Sequence, residues 1–273
     1  MLDISGNTSS APSEDMRVVA NPKKRNKGKN KDPTLVQFYP RICAAMIDLT
    51  KHYFRCHQVF SDLFPSKEAS IDGICRDVLY DVMGEFQKMG RMIEEGYWEN
   101  HKDNMAVCVW KDINTFRSEV RKVVLGIVPI EYKLSAPNAR TSAERLATIK
   151  DKAAVLSYKF AFLQGPRDKF GRASNFAHNC LRVACQKIFY RKGSKTFRNH
   201  NLFREAVPCM AVLYIASYIK GVLDAYKTNG TVDDKVPPSK NEEDFWRMHV
   251  KMDQVLADTY HGPKLTSMLK SWA

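Results

Sequence analysis

Residues 206–223 read AVPCMAVLYIASYIKGVL, and this stretch decides the fold. Val207, Met210, Val212, Leu213, Ile215, Tyr218, Ile219, Val222 and Leu223 fall on nearly every side of a helix with about 3.6 residues per turn. A helix that is apolar all round belongs either in the core of a domain or in a membrane. The mostly apolar run Ala206–Ile219 holds Pro208 and Ser217, and it falls short of the roughly 20 residues a bilayer span needs. The expectation is a buried central helix from about Leu202 to Lys227, ended by Asn229-Gly230.

Helical spacing continues on both sides. Upstream, Ile42, Met46, Leu49, Tyr53 and Phe60 predict a helix from about residue 38 that ends at Phe64-Pro65. Ser66 suits the N-cap of a second, marked by Ile71, Ile74, Val78, Val82, Phe86, Met89 and Ile93. A third carries Phe116, Val120, Val123, Val124 and Ile127, with Pro129 as its stop. Thr141 and Glu144 form a capping box for a fourth, marked by Leu146, Ile149, Ala153, Leu156, Phe160 and Leu163 and closed by Gly165-Pro166. A fifth runs from about Phe176 to Tyr190, with Cys180, Ala184 and Ile188 on its inner face. After the central helix, Pro237-Pro238 and a Ser239/Glu242 capping box open a seventh that buries Phe245, Met248, Met252 and Val255. No segment alternates with period two long enough for a confident strand, and no repeat is evident. The predicted fold is all-α, with about seven main helices in one domain over residues 34–273.

Residues 1–33 contrast with the rest. Ser, Asn, Pro and Lys dominate them, and apolar residues are too few for a core, so a disordered tail is expected. They show no apolar stretch of the kind a secretory signal needs. Lys23, Lys24, Arg25, Lys27 and Lys29 form a basic run, which reads as a nuclear import signal or a polyanion-binding arm. The seven cysteines, Cys43, Cys56, Cys75, Cys108, Cys180, Cys185 and Cys209, form no C-x-x-C pair and sit mostly in apolar helical contexts. They read as reduced, buried thiols of an intracellular protein.

The 273 residues carry a net charge of +13, and the charge is unevenly spread. The tail holds seven Lys/Arg against four acids, while residues 165–204 hold ten against one. Those ten are Arg167, Lys169, Arg172, Arg182, Lys187, Arg191, Lys192, Lys195, Arg198 and Arg204, and the lone acid is Asp168. Like charges repel, and a solvated face ordinarily mixes both signs. Gly165, Pro166, Gly171 and Gly193-Ser194 place basic loops on either side of the fifth helix, whose polar side shows His178, Arg182 and Gln186 one turn apart. Phe170, Tyr190 and Phe197 lie between the cations as aromatic platforms for bases. The candidate nucleic-acid-binding residues are the five tail cations with Arg167, Lys169, Arg172, Arg182, Lys187, Arg191, Lys192, Lys195 and Arg198. The partner expected is DNA or RNA. The alternative is an acidic protein partner with no nucleic-acid role, and on either reading no membrane partner is expected.

Enzymatic readings fare poorly. His52 and Cys56 stand one turn apart, but the further ligands of a metal site are missing. Ser267 and Lys270 match a serine–lysine dyad by letters alone, without its companion motifs. His178 with Arg182 and His200 with Arg204 have the wrong spacing for DNA-strand-transfer chemistry. The acids Glu94-Glu95, Asp233-Asp234 and Glu242-Glu243-Asp244 adjoin helix ends or loops. No catalytic residue, metal ligand or cofactor site is expected.

A resemblance supports the helical reading. Phe116-Arg117-Ser118-Glu119-Val120-Arg121 leads to Tyr132-Lys133-Leu134, then Phe160-Ala161-Phe162-Leu163, Phe176-Ala177-His178 and Ile188-Phe189-Tyr190. Phe203 to Pro208 then precedes Met210-Ala211-Val212-Leu213-Tyr214-Ile215-Ala216, Leu223-Asp224-Ala225-Tyr226-Lys227-Thr228-Asn229-Gly230 and Phe245-Trp246-Arg247-Met248-His249. In this order, over about residues 116–257, the motifs resemble a large family of fungal, chiefly basidiomycete, proteins: the domain of unknown function 6532. One departure is Asn229-Gly230, where a Thr-Gly turn is expected. The resemblance implies a helical fold and a fungal origin. It implies no activity and carries over no catalytic residue.

Overall fold

The computed structural model describes residues 31–60, 66–192, 196–232 and 242–273. The tail cations Lys23, Lys24, Arg25, Lys27 and Lys29 lie outside the described residues, as do Lys195, the stop at Phe64-Pro65 and the cap at Ser239. In chain order the helices are α1 (Arg41–Phe60), α2 (Lys67–Asp72), α3 (Ile74–Lys88), α4 (Tyr97–Glu131) and α5 (Ser142–Ser157). They continue with α6 (Asn179–Phe189), α7 (Cys209–Asn229), α8 (Glu242–Ala257) and α9 (His261–Trp272). Short 3-10 turns occupy Val36–Phe38, Tyr158–Leu163 and Asn201–Phe203. The described residues hold an isolated antiparallel bridge between Arg167 and Ala173 and no strand. The fold is all-α.

The expected central helix is α7. Every residue from Ala211 to Leu223 is buried, and α1, α4, α5, α6 and α8 all pack against it. By length and hydropathy the full helix is apolar enough to cross a membrane, more than the run Ala206–Ile219 suggested, but most of that window lies inside the fold. Within the buried stretch Lys220 is charged; its Nζ meets Asp224 at 2.6 Å and Asp244 of α8 at 3.0 Å, which compensates its removal from water. One hydrophobic core runs from Tyr39 through α7 to Trp272.

Local signals place several ends as expected. Ser66 Oγ accepts the Ala69 N–H, and Thr141 Oγ1 accepts the Glu144 N–H. Gly230 adopts φ +73° as the left-handed cap of α7, donating to the Tyr226 carbonyl at 2.7 Å. A cap between distant segments is added at α1, where Glu94 accepts the backbone N–H groups of Ile42 and Cys43 at 3.0 and 3.1 Å. These donors outweigh the desolvation of Glu94 and hold its carboxyl below the ordinary value.

Other boundaries differ from the sequence expectation. The second helix breaks at Gly73, and its later part ends at Lys88, so Ile93 lies beyond it. The third begins at Tyr97, not near Phe116, and Pro129 sits within its last turn. There a missing N–H forfeits a single bond, which α4 tolerates because the helix ends two residues later. The fourth ends at Ser157, because Lys159 and Phe160 turn left-handed at φ 49° and 58°. The fifth begins at Asn179, because Phe176 has φ 53° and cannot open a helix. The central helix starts at Cys209, capped by Pro208, and not at Leu202. Helix α9 was not expected; it packs on α8 and buries Leu265, Leu269 and Trp272.

Candidate nucleic-acid interface

Residues 165–178 form a tight loop ahead of α6. The Gly165 N–H donates to the Ser174 carbonyl at 2.9 Å, and the Arg167–Ala173 bridge closes the loop above it. At the tip, Asp168 N–H donates to the Arg172 carbonyl and Gly171 N–H donates to the Asp168 carbonyl, each at 2.9 Å. Gly171 takes φ +76°, the conformation this turn requires. Asp168 is committed to the turn: its Oδ1 accepts the N–H groups of Phe170 and Arg172, and its Oδ2 meets Arg172 Nε at 3.2 Å. Those hydrogen bonds, chiefly from the Arg172 backbone, hold its carboxyl below the ordinary value. Arg167 donates to the Gly171 carbonyl at 2.6 Å.

Helix α6 buries Cys180, Leu181, Ala184, Cys185, Ile188 and Phe189 against α4 and α7. That leaves Asn179, Arg182, Gln186 and Lys187 on its exposed side. Arg182 is held by Asn179 Oδ1 at 2.7 Å, and Asn179 donates in turn to Glu131 of α4. After α6, Phe197 plugs into a cluster with Phe116, Phe189 and Phe203 and is only 1% exposed. Phe197 is thereby anchored in the core, while Lys192, Arg198 and Arg204 remain exposed.

The ten cations therefore separate. Arg167, Lys169, Arg172, Arg182, Lys187, Lys192, Arg198 and Arg204 are exposed, and Lys195 lies outside the described residues. Arg191 is half-buried and pairs with Glu119 of α4 at 3.0 Å. Glu119 also faces Arg55 of α1, which is 4% exposed and bonds Asp112 through two nitrogens at 2.6 and 3.0 Å. Arg191 thus belongs to an internal ion-pair network. The aromatics separate as well. Phe197 is buried and the Tyr190 hydroxyl donates to the Phe203 carbonyl, whereas Phe170 stands 68% exposed.

Tertiary packing adds a cation that the charge map missed. Lys264 of α9 lines a small cleft of about 130 Å³ with Ser174, Asn175 and His261 at the base of the basic loop. Some 90 residues of sequence separate it from that loop, and only the docking of α9 brings it there, so no local signal marks it.

The histidines beside the arginines act locally. His178 Nδ1 accepts the Cys180 N–H and caps α6, with its ring stacked on Tyr132 at 4.1 Å. His200 Nδ1 takes the same part for the turn at Asn201–Phe203. Desolvation lowers the pKa of both. His52 packs on the Phe197 ring at 4.9 Å, and burial pushes the neighbouring Cys56 thiol up. Among the described residues no group of three His, Cys, Asp or Glu is placed to hold a metal ion. An open groove of about 520 Å³ lies between the end of α4 and α5. Val155 and Leu156 line it, and its Lys152 Nζ is turned to the Ser135 carbonyl at 2.6 Å.

Against this geometry, the family model for the domain of unknown function 6532 matches residues 49–255. The chain belongs to that family. The match begins well before Phe116, so most of α1 and all of α2, α3 and α4 are part of the family domain. It ends within α8, so α9 and Lys264 lie beyond it. No curated protein and no solved structure matches the chain.

Proposed function

We propose that this member of the domain of unknown function 6532 family is a nuclear nucleic-acid-associated binding module. In this reading residues 165–204 contact phosphates, and the basic tail localises and tethers the protein. One observation carries it: of the nine described Lys and Arg side chains in this segment eight are exposed, and its single acid is spent within its own turn. Exposed cations without interspersed acids attract a polyanion, and each phosphate contact releases counterions, so affinity falls steeply with salt.

The test measures binding of labelled DNA and RNA at low and moderate salt. The variant replaces Arg182, Lys187, Lys192 and Arg198 with Glu. The expected result is binding at low salt that weakens with added salt and falls by at least about tenfold in the variant. Absence of binding at low salt, or indifference to the four reversals, overturns the proposal and favours an acidic protein partner. Arg191 is omitted because reversing it places a carboxylate beside Glu119 and disturbs the fold.

A further inference from the structure

We infer that the loop at 165–174 recognises unpaired, single-stranded nucleic acid, with the Phe170 ring as a stacking platform for a base and Arg167, Lys169 and Arg172 as its flanking phosphate contacts. This rests on the reading above and names the form of nucleic acid that the segment takes.

Of the three aromatics that the sequence offers as platforms, Phe170, Tyr190 and Phe197, the fold withdraws two. Phe197 is the core anchor of its loop, and Tyr190 is half-buried with its hydroxyl on the Phe203 carbonyl. Phe170 is presented instead, at the tip of a turn whose backbone is bonded on both sides. Such a turn loses little further conformational entropy when it binds. The ring has cations for neighbours: Lys169 Nζ lies 5.0 Å and Arg172 Cζ 4.9 Å from its centroid. They hold its orientation by cation–π attraction and concentrate positive charge around an exposed π face.

A single exposed phenylalanine is ordinary on a protein surface. An exposed phenylalanine flanked by Lys169 and Arg172, with Arg167 in the same loop and the loop's one acid, Asp168, held by backbone N–H groups and the Arg172 side chain, matches the alternation of base and phosphate along a strand. A duplex offers this ring little, because its base faces are already stacked on one another. A single strand exposes both faces of a base and puts a phosphate on either side of it. The acidic-protein alternative supplies the negative charge but no regular flat partner for the ring.

The experiment uses the full chain with a fluorescent oligothymidine, a duplex of equal length, and vesicles of phosphatidylcholine with phosphatidylserine. Phe170→Ala and Phe170→Trp are compared with the unsubstituted protein, and melting curves check that both variants fold. The expected result is preference for oligothymidine over duplex, a loss of roughly fivefold or more in Phe170→Ala, and retention in Phe170→Trp. Duplex binding should change little in either variant. If the protein binds nucleic acid but Phe170→Ala binds oligothymidine as well as the unsubstituted protein does, the inference fails while the broader proposal stands. Vesicle binding that depends on Phe170, without an effect on oligothymidine, also overturns it, because the loop is then a membrane-surface element. Absence of all nucleic-acid binding fails both.

Discussion

Arg191 and Lys192 are neighbours in the chain with different surroundings. Lys192 is exposed, whereas Arg191 is drawn to Glu119 on a helix 72 residues earlier. The buried Arg55 shares that carboxylate and lies 5.2 Å from the Phe116 ring centroid. A charge count treats the two residues alike. Their side chains differ because Tyr190 and Phe197 fix the path of the chain at the end of α6. Arg191→Glu should therefore lower stability by about 1 kcal/mol, as lost ion pairing gives way to like-charge repulsion. Lys192→Glu should leave stability within about 0.5 kcal/mol of the unsubstituted protein. Urea denaturation of the two variants separates the cases, and equal midpoints would count against the assignment.

Helix ends show where chain chemistry is decisive and where neighbours are. Gly230 satisfies both demands. Its φ of +73° suits glycine, and a Cβ there would come within 2.9 Å of Leu146 Cδ2 and 3.0 Å of the Leu146 carbonyl. Gly230→Ala should cost more than about 1 kcal/mol, combining backbone strain with a clash against α5. At Gly84 in α3 an added Cβ would meet nothing within 4 Å, so Gly84→Ala should be neutral or stabilise by up to about 1 kcal/mol. Thermal melts of the pair check both signs. The Asn229-Gly230 signal was legible because only glycine relieves that φ. The start of α4 was not, because His101, Lys102 and Asp103 interrupt the apolar pattern until Met105, and the buried face becomes regular only after it.

Across the whole molecule, cysteine burial gives stability a pH dependence. Burial pushes the thiols of Cys43, Cys75 and Cys180 up to about 12 and that of Cys108 up to about 11. Cys56 and Cys185 move in the same direction. An unfolded thiol ionises near about pH 8.5, so above that value the unfolded chain gives up protons that the folded chain retains. This contribution is fully present below about pH 8.5 and is lost as pH rises toward the folded values. Under reducing conditions the urea midpoint should hold between about pH 7 and 8 and fall progressively from about pH 9. A midpoint that stays constant to about pH 10.5 would contradict the burial of these thiols.

The amino-acid sequence by itself determined the helical class, the identity of the core helix, two N-caps, a C-cap and the concentration of charge between Arg167 and Arg204. These follow from short-range physics: helical period, capping chemistry and simple counting need no knowledge of neighbours. Tertiary structure decided which basic side chains face solvent, which aromatic among Phe170, Tyr190 and Phe197 is presented, and that Lys264 joins the basic loop. Those outcomes depend on contacts between segments tens of residues apart, such as Glu119 with Arg191 and Trp272 with Gln186. A one-dimensional pattern of charge and hydrophobicity holds no record of such pairings, because either partner would look the same in the chain without the other.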